Sequence, residues 1–192
     1  MKYEKEITVE VNMSPRELKE YLNNMNFKIK EEYDLNDIYM CNKSLDKTND
    51  YLELLKNCIL IRHVIEETKD KKIITYKYKE YNDEKEIVKQ GKIDCVINSI
   101  DEAKELFEAL NYEEMITIND HMIVYSNDID EFVVQNVNNK HIYIEIEDKC
   151  NYIEKFYETV DDMKEVIKKY NIPIKDDNYF VKKAEIEMRE SL

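Results

Sequence analysis

Two short runs of alternating residues carry paired carboxylates. His141-Ile142-Tyr143-Ile144-Glu145-Ile146-Glu147 alternates polar and apolar residues with the period of a β-strand, so Glu145 and Glu147 share one face with His141 and Tyr143, and the three isoleucines take the other. The first run of the chain does the same: Glu4, Glu6, Thr8 and Glu10 alternate with Lys5, Ile7, Val9 and Val11. If the sheet brings the two runs side by side, Glu4, Glu6, Glu145 and Glu147 form a set of hard oxygen donors suited to a divalent cation. The plainer alternative is a solvated polar face of an antiparallel sheet.

Cations sit on the middle strands. In Ile59-Leu60-Ile61-Arg62 one face carries Leu60, Arg62 and Val64; in Ile73 to Tyr81 one face carries Thr75, Lys77, Lys79 and Tyr81; further on, Lys92 and Asp94 share a face. Turned inward, Arg62, Lys77, Lys79 and Lys92 would form a cationic lining. Cations for phosphate oxygens and carboxylates for a metal are the parts phosphoryl transfer needs, because its transition state asks for positioning and charge neutralisation more than covalent chemistry. Turned outward, the lysines are ordinary solvated strand residues. His63, His121 and His141 lie on three strands without ligand spacing, and of these only His141 shares the acidic face, where a polar rim role is the simplest reading.

The elements that must position these groups follow from local pattern. Ser14-Pro15-Arg16-Glu17 is a capping box with proline at the first helical position, followed by Leu18, Tyr21, Leu22 and Met25 at helical spacing. A short apolar stretch at Asp37-Ile38-Tyr39-Met40 precedes a polar loop from Asn42 to Asp50. Strand-like runs then cover Cys58 to Glu66, Lys72 to Tyr81 and Glu86 to Ile97, with polar joints that imply hairpins. Ser99, Glu102, Lys104, Glu105, Asn111 and Tyr112 stand 85 residues after Ser14, Glu17, Lys19, Glu20, Asn26 and Phe27, which reads as an internal duplication. Strands follow at Met115 to Tyr125, Phe132 to Val137 and His141 to Glu147. The expected fold is therefore α+β: an eight-stranded, mostly antiparallel β-barrel or tunnel with a pseudo-two-fold repeat and peripheral helices. A single domain over residues 1–192 is expected, with the barrel and two inserted helices in 1–150. Residues 151–192 are expected to form C-terminal helices, helical from Tyr152 and again from about Tyr179 to Met188, that pack on or plug the barrel.

Composition narrows the function classes. One glycine, Gly91, and two prolines leave no glycine-rich phosphate loop, which argues against a Rossmann or P-loop nucleotide site. A formal net charge of -14 speaks against a nucleic-acid partner. Cys41, Cys58, Cys95 and Cys150 show no metal spacing, and the N-terminus has no apolar signal core, so four reduced thiols in a cytoplasmic protein without a membrane span are expected.

Glu4-x-Glu6, Asp37-x-Tyr39, Ile59-Leu60-Ile61-Arg62, Thr75-Tyr76-Lys77, Ala109-Leu110-Asn111-Tyr112 and Glu145-Ile146-Glu147 fall in the order and spacing of the CYTH superfamily, the triphosphate tunnel metalloenzymes. That superfamily includes class IV adenylyl cyclases, thiamine triphosphatases and inorganic triphosphatases. Ile172-Pro173 with Asn178-Tyr179-Phe180 is similar to the C-terminal end of the cyclase-like branch. The resemblance implies an eight-stranded antiparallel tunnel, Mg2+ or Mn2+ held by Glu4, Glu6, Glu145 and Glu147, and a triphosphate or other small anion clamped by Arg62 and Lys77, with Lys79 and Lys92 as further cations. It implies divalent-metal-dependent hydrolysis of a small triphosphate by a monomer or homodimer. The sequence also departs from the family pattern. Thr8 stands where a lysine associated with catalysis belongs, Leu60 replaces an arginine, Asp120 and Met122 replace a Lys-x-Arg pair, and Gln135 replaces an acid. The alternative expectation is thus a catalytically impaired module that binds a metal or small anion without turnover.

Overall fold

The computed structural model describes residues 2–3, 5–45, 50–68, 70–81 and 87–191; of residues 2, 3, 79, 81 and 87–90 it describes the backbone. The strands are β1 (Lys2–Tyr3), β2 (Glu6–Glu10), β3 (Lys28–Asn42), β4 (Ile59–Ile65), β5 (Asp70–Tyr81), β6 (Ile87–Ile97), β7 (Tyr112–Ser126), β8 (Glu131–Val137) and β9 (His141–Glu147). The helices are α1 (Pro15–Asn24), α2 (Tyr51–Lys56), α3 (Ile100–Ala109), α4 (Val160–Lys169) and α5 (Lys183–Ser191). Among the described residues nine strands form an antiparallel sheet accompanied by five helices: β2 to β9 answer to the eight strands expected, and the two-residue β1 lies before the expected N-terminal strand, which began at Glu4. Hydrogen bonds among the described residues do not close that sheet into the expected barrel. Within the described residues β1 pairs with β6 at Lys2–Lys92 and Tyr3–Gly91, whereas β2 takes β9 as its partner. The other edge of β2 is occupied by the chain after Pro173: Thr8 N donates to Tyr179 O at 3.1 Å, Val181 N to Thr8 O at 3.0 Å and Lys175 N to Glu10 O at 2.8 Å. A strand edge filled by a terminal segment has no N–H or C=O left for another ladder.

The chain packs as two compact units. The first comprises Met1–Tyr3, Asp34–Asn119 and Lys182–Leu192. It holds β4, β5, β6, α2, α3 and α5, and one face of its strands is sealed by α3, where Ala103 and Phe107 pack on Met40 and Ile61. The second comprises Glu4–Tyr33 and Asp120–Val181. Its core is larger. Ile7 and Val9 of β2, Phe132 and Val134 of β8, and Ile142, Ile144 and Ile146 of β9 pack with Leu18 and Leu22 of α1 and with Met163, Val166 and Ile167 of α4. Phe27 stacks on Phe132 at 4.7 Å, and Tyr170 meets both rings edge-on. Burying a side chain of this size contributes about 1.5–3 kcal/mol, so these strands and helices hold one another in place.

The duplication is present in the backbone. α1 and α3 have the same length at the same 85-residue offset, and Asn26 and Asn111 both end their helices in the left-handed region, at φ 64 and 66. Asparagine tolerates that conformation at helix ends. β3 and β7, which follow, are each 15 residues long. Ser14 and Ser99 both cap their helices, but only Ser14 completes a reciprocal box: Ser14 N donates to Glu17 Oε2 at 2.8 Å, and Glu17 N donates to Ser14 Oγ at 3.3 Å. Ser14→Ala is therefore expected to lower stability by about 1 kcal/mol, read as a lower urea midpoint at unchanged slope, and Ser99→Ala by less.

Three local expectations need correction. β3 starts at Lys28, well before the expected Asp37; its first half is largely exposed, and Glu31 interrupts the apolar positions Ile29, Tyr33 and Leu35, so its alternation is weak. A short helix, α2, lies directly after the expected polar loop; six residues are too few to show helical periodicity, and its mark is the Asp50 cap, which accepts from Leu52 N at 2.9 Å. Helix does not begin at Tyr152 or at Tyr179. The earlier stretch is an irregular segment pinned by the buried Glu131, which accepts from Asn151 N and Tyr152 N at 2.7 and 2.8 Å, and α4 starts only after the Thr159 cap. Residues 178–181 are held extended along β2, so α5 starts at Lys183.

Candidate functional site

The acidic strands belong to the second unit. β2 and β9 are antiparallel neighbours, with Glu6 directly opposite Glu147, Thr8 opposite Glu145 and Glu10 opposite Tyr143. Directly opposed residues project from the same face with β-carbons about 4.5–5.5 Å apart. Glu6, Glu145 and Glu147 thus share one face, opposite the isoleucines and valines of the core, and all three are half-buried. Glu4 lies outside the described residues. The oxygens of Glu6, Glu145 and Glu147 do not converge to within 4.8 Å of one another as a set of three. Gln135 Nε2 donates to Glu145 Oε2 at 3.0 Å and fixes that carboxylate's orientation. Beside them Glu10 Oε1 meets His141 Nδ1 at 3.0 Å and Lys175 Nζ at 3.2 Å, so His141 stands on the acidic face and is paired there.

The donor set suits a hard cation. It offers carboxylate oxygens on rigid neighbouring strands, without a thiolate among them, which fits Mg2+ or Mn2+ better than a soft metal. Four of the departures from the family pattern, Thr8, Asp120, Met122 and Gln135, lie on the same face. Thr8 is 7% exposed with its N–H and C=O both bonded to the C-terminal segment, Asp120 sits opposite Val137, and Met122 sits opposite Gln135 with both side chains buried. Buried Met122 and Gln135 leave those two positions neutral.

The basic strands belong to the first unit. Register places Asp37 opposite Arg62 opposite Ile73, Leu60 opposite Thr75 opposite Asp94, and Lys77 opposite Lys92. Arg62, Lys77 and Lys92 therefore share one strand face, away from α3; the side chain of Lys79 lies outside the described residues. Arg62 grips Asp37 in a two-pronged fork, Nε to Oδ1 and NH2 to Oδ2, each at 2.6 Å. Burial works to raise the Asp37 carboxyl, but the Arg62 guanidinium, with Lys77 and Lys183 in electrostatic reach, overcomes it and holds the group below the usual carboxylate range. Thr75 Oγ1 donates to Asp94 Oδ1 at 2.8 Å, and Lys92 is exposed. Leu60, where the family pattern has an arginine, is buried beside Tyr39 and Thr75 and supplies no charge.

Sequence reasoning missed Lys183. It lies on α5, read from the pattern as packing alone, and its place near Asp37 depends on where that helix docks. Asp37 was legible as a motif residue, but its role as the partner that orients Arg62 was not.

This arrangement of strands and capped helices is the fold of a group of solved structures that includes proteins described as adenylate cyclases. The chain superposes on a "putative adenylate cyclase" of Vibrio parahaemolyticus with a TM-score of 0.58 and 9% identity, covering 99% of each chain. The PH1819 protein of Pyrococcus horikoshii OT3 matches with a TM-score of 0.70 and 15% identity, over 97% of this chain and 99% of that one. A chain of the Schizosaccharomyces pombe Mediator head module matches with a TM-score of 0.58 and 8% identity, over 90% of this chain and 98% of that one. No protein-family model matches the sequence, and no curated protein matches it either. At these identities the likeness is one of fold alone. No described helix is long and apolar enough to cross a membrane.

Proposed function

We propose that the chain binds a small triphosphate, inorganic, thiamine or nucleoside, and hydrolyses it with a divalent cation. The observation that carries this reading is the register of β2 against β9, which sets Glu6 opposite Glu147 and Thr8 opposite Glu145 on one face. Glu6, Glu145 and Glu147 would hold Mg2+ or Mn2+, and such an ion supplies Lewis-acid charge and an acidified water when bound. Gln135 holds Glu145 in a fixed orientation for that task. Arg62, fixed by Asp37, presents a pre-oriented planar cation to phosphate oxygens, while Lys77, Lys92 and Lys183 act as point charges. The test is release of phosphate from tripolyphosphate, ATP and thiamine triphosphate with Mg2+ or Mn2+. Glu147→Gln and Lys77→Ala are each expected to lower the rate by about 10²–10³-fold. An activity that survives both substitutions belongs to a different site.

A second reading is favoured by Thr8, Leu60, Asp120, Met122 and Gln135, which stand where the family pattern carries charged side chains. In that reading the chain binds a small anion without turnover. Calorimetric binding of tripolyphosphate that is lost in Lys77→Ala, with no phosphate released, would select it.

A further inference from the structure

We propose that Cys41 and Cys58 form an oxidisable dithiol that a peroxide closes into one intramolecular disulfide joining the end of β3 to the start of β4. The inference is independent of the triphosphate reading. The β3–β4 ladder runs from Asp34–Ile65 to Met40–Ile59, and the same register carried one residue further sets Cys41 against Cys58, which lies just before β4. Opposed antiparallel residues have β-carbons about 4.5–5.5 Å apart, and a disulfide spans about 3.5–4.5 Å, so closure needs only a small inward shift. Both side chains are buried, at 0% and 1% exposure, and the two thiols are in hydrogen-bonding contact. The Cys41 thiol also donates to Leu54 O of α2 at 3.7 Å, so the pair is roofed by a helix of six residues.

The hydrogen bond to Cys41, reinforced by burial, pushes the Cys58 thiol far above its ordinary range, so the closed structure keeps the pair protonated and slow to react. Oxidation then waits on opening of α2. In the first step one thiolate attacks a peroxide oxygen, the O–O bond breaks, water leaves and a sulfenic acid forms. The second thiolate attacks that sulfur, the S–S bond forms and the oxygen leaves as a second water. Two thiol hydrogens and two electrons have passed to the peroxide.

The test uses folded Cys95→Ser protein, which lacks the one exposed thiol. After treatment with hydrogen peroxide, the protein is unfolded and alkylated, and its mass and peptides are read. The expected result is that two of the three remaining thiols escape alkylation, with a peptide linking Cys41 to Cys58 that disappears on reduction. A melting temperature raised by roughly 5–10 °C in the oxidised form, and returned by reductant, is expected from closing a loop of this length. Full alkylation of both cysteines, or a linkage through Cys150, overturns the proposal. Because linkage is read on the unsubstituted pair, the result does not depend on whether Cys58→Ser folds.

Discussion

Replacing Asp130 by alanine is expected to destabilise the protein by about 3 kcal/mol, measured as a lower urea midpoint. The Asp130 side chain is fully buried and serves four donors. Lys155 Nζ and Tyr157 OH reach Oδ1, the latter at 3.0 Å, and Lys169 Nζ and Tyr170 OH reach Oδ2, both at 2.8 Å. These donors come from the irregular segment before α4 and from its last turn, so one carboxylate ties the β7–β8 turn to the C-terminal part of the second unit. Breaking a buried pair costs about 3–5 kcal/mol. The lower end applies here because Lys155 and Lys169 are 31% and 49% exposed and can recover water once their partner is gone. Asp130→Asn, which keeps the volume and part of the hydrogen bonding, should cost less.

The same group sets an acid limit. Burial acts to raise the Asp130 carboxyl, yet the hydrogen bonds from Lys155, Lys169 and Tyr170 bring it down from 3.8 to about 2. A carboxyl lowered by folding stabilises the protein at pH values above the unfolded value. That contribution, about 2–3 kcal/mol, is lost as pH falls from about 4 to about 2. Urea titrations across that window should show the loss in the parent protein and a shallower one in Asp130→Asn.

The second large effect is expected at Arg62. Arg62→Ala removes both prongs from Asp37, a carboxylate only 7% exposed, and should cost about 3 kcal/mol. Lys77 and Lys183 remain in reach and keep the loss from being larger. Arg62→Lys should fall between, since an ammonium cannot reproduce the two parallel bonds. In a double-mutant cycle, Asp37→Asn in the Arg62→Ala background should recover part of the loss, because the uncompensated buried charge is then gone. The lowered Asp37 carboxyl also adds stability above about pH 4 that disappears on acidification, by the same sign argument as for Asp130.

What could be read from the sequence was what neighbouring residues settle among themselves. The Ser14 box, the 85-residue repeat of helix and strand, the hairpins and the alternation of Ile142, Ile144 and Ile146 are encoded within a few residues of where they appear, through backbone capping and side-chain period. The pairing of the two acid-bearing strands was expected only on the condition that the sheet brought them together; their register is fixed in the structure, where a one-residue slip of β2 on β9 would turn Ile7, Val9 and the isoleucines out of the core. The exposed first half of β3, whose alternation Glu31 interrupts, and the six-residue α2, too short for a period, carry no strong mark of this kind, and were missed. Tertiary structure alone decided that Arg62 is engaged by a carboxylate 25 positions earlier, that Lys183 of the last helix joins that group, that Asp130 collects donors from 25 to 40 positions away, and that residues 174–181 occupy the outer edge of β2. Ion pairs and strand edges are satisfied by whichever partner the packed core brings near, and that choice is made by the burial of apolar faces far along the chain rather than by the residues beside each charge.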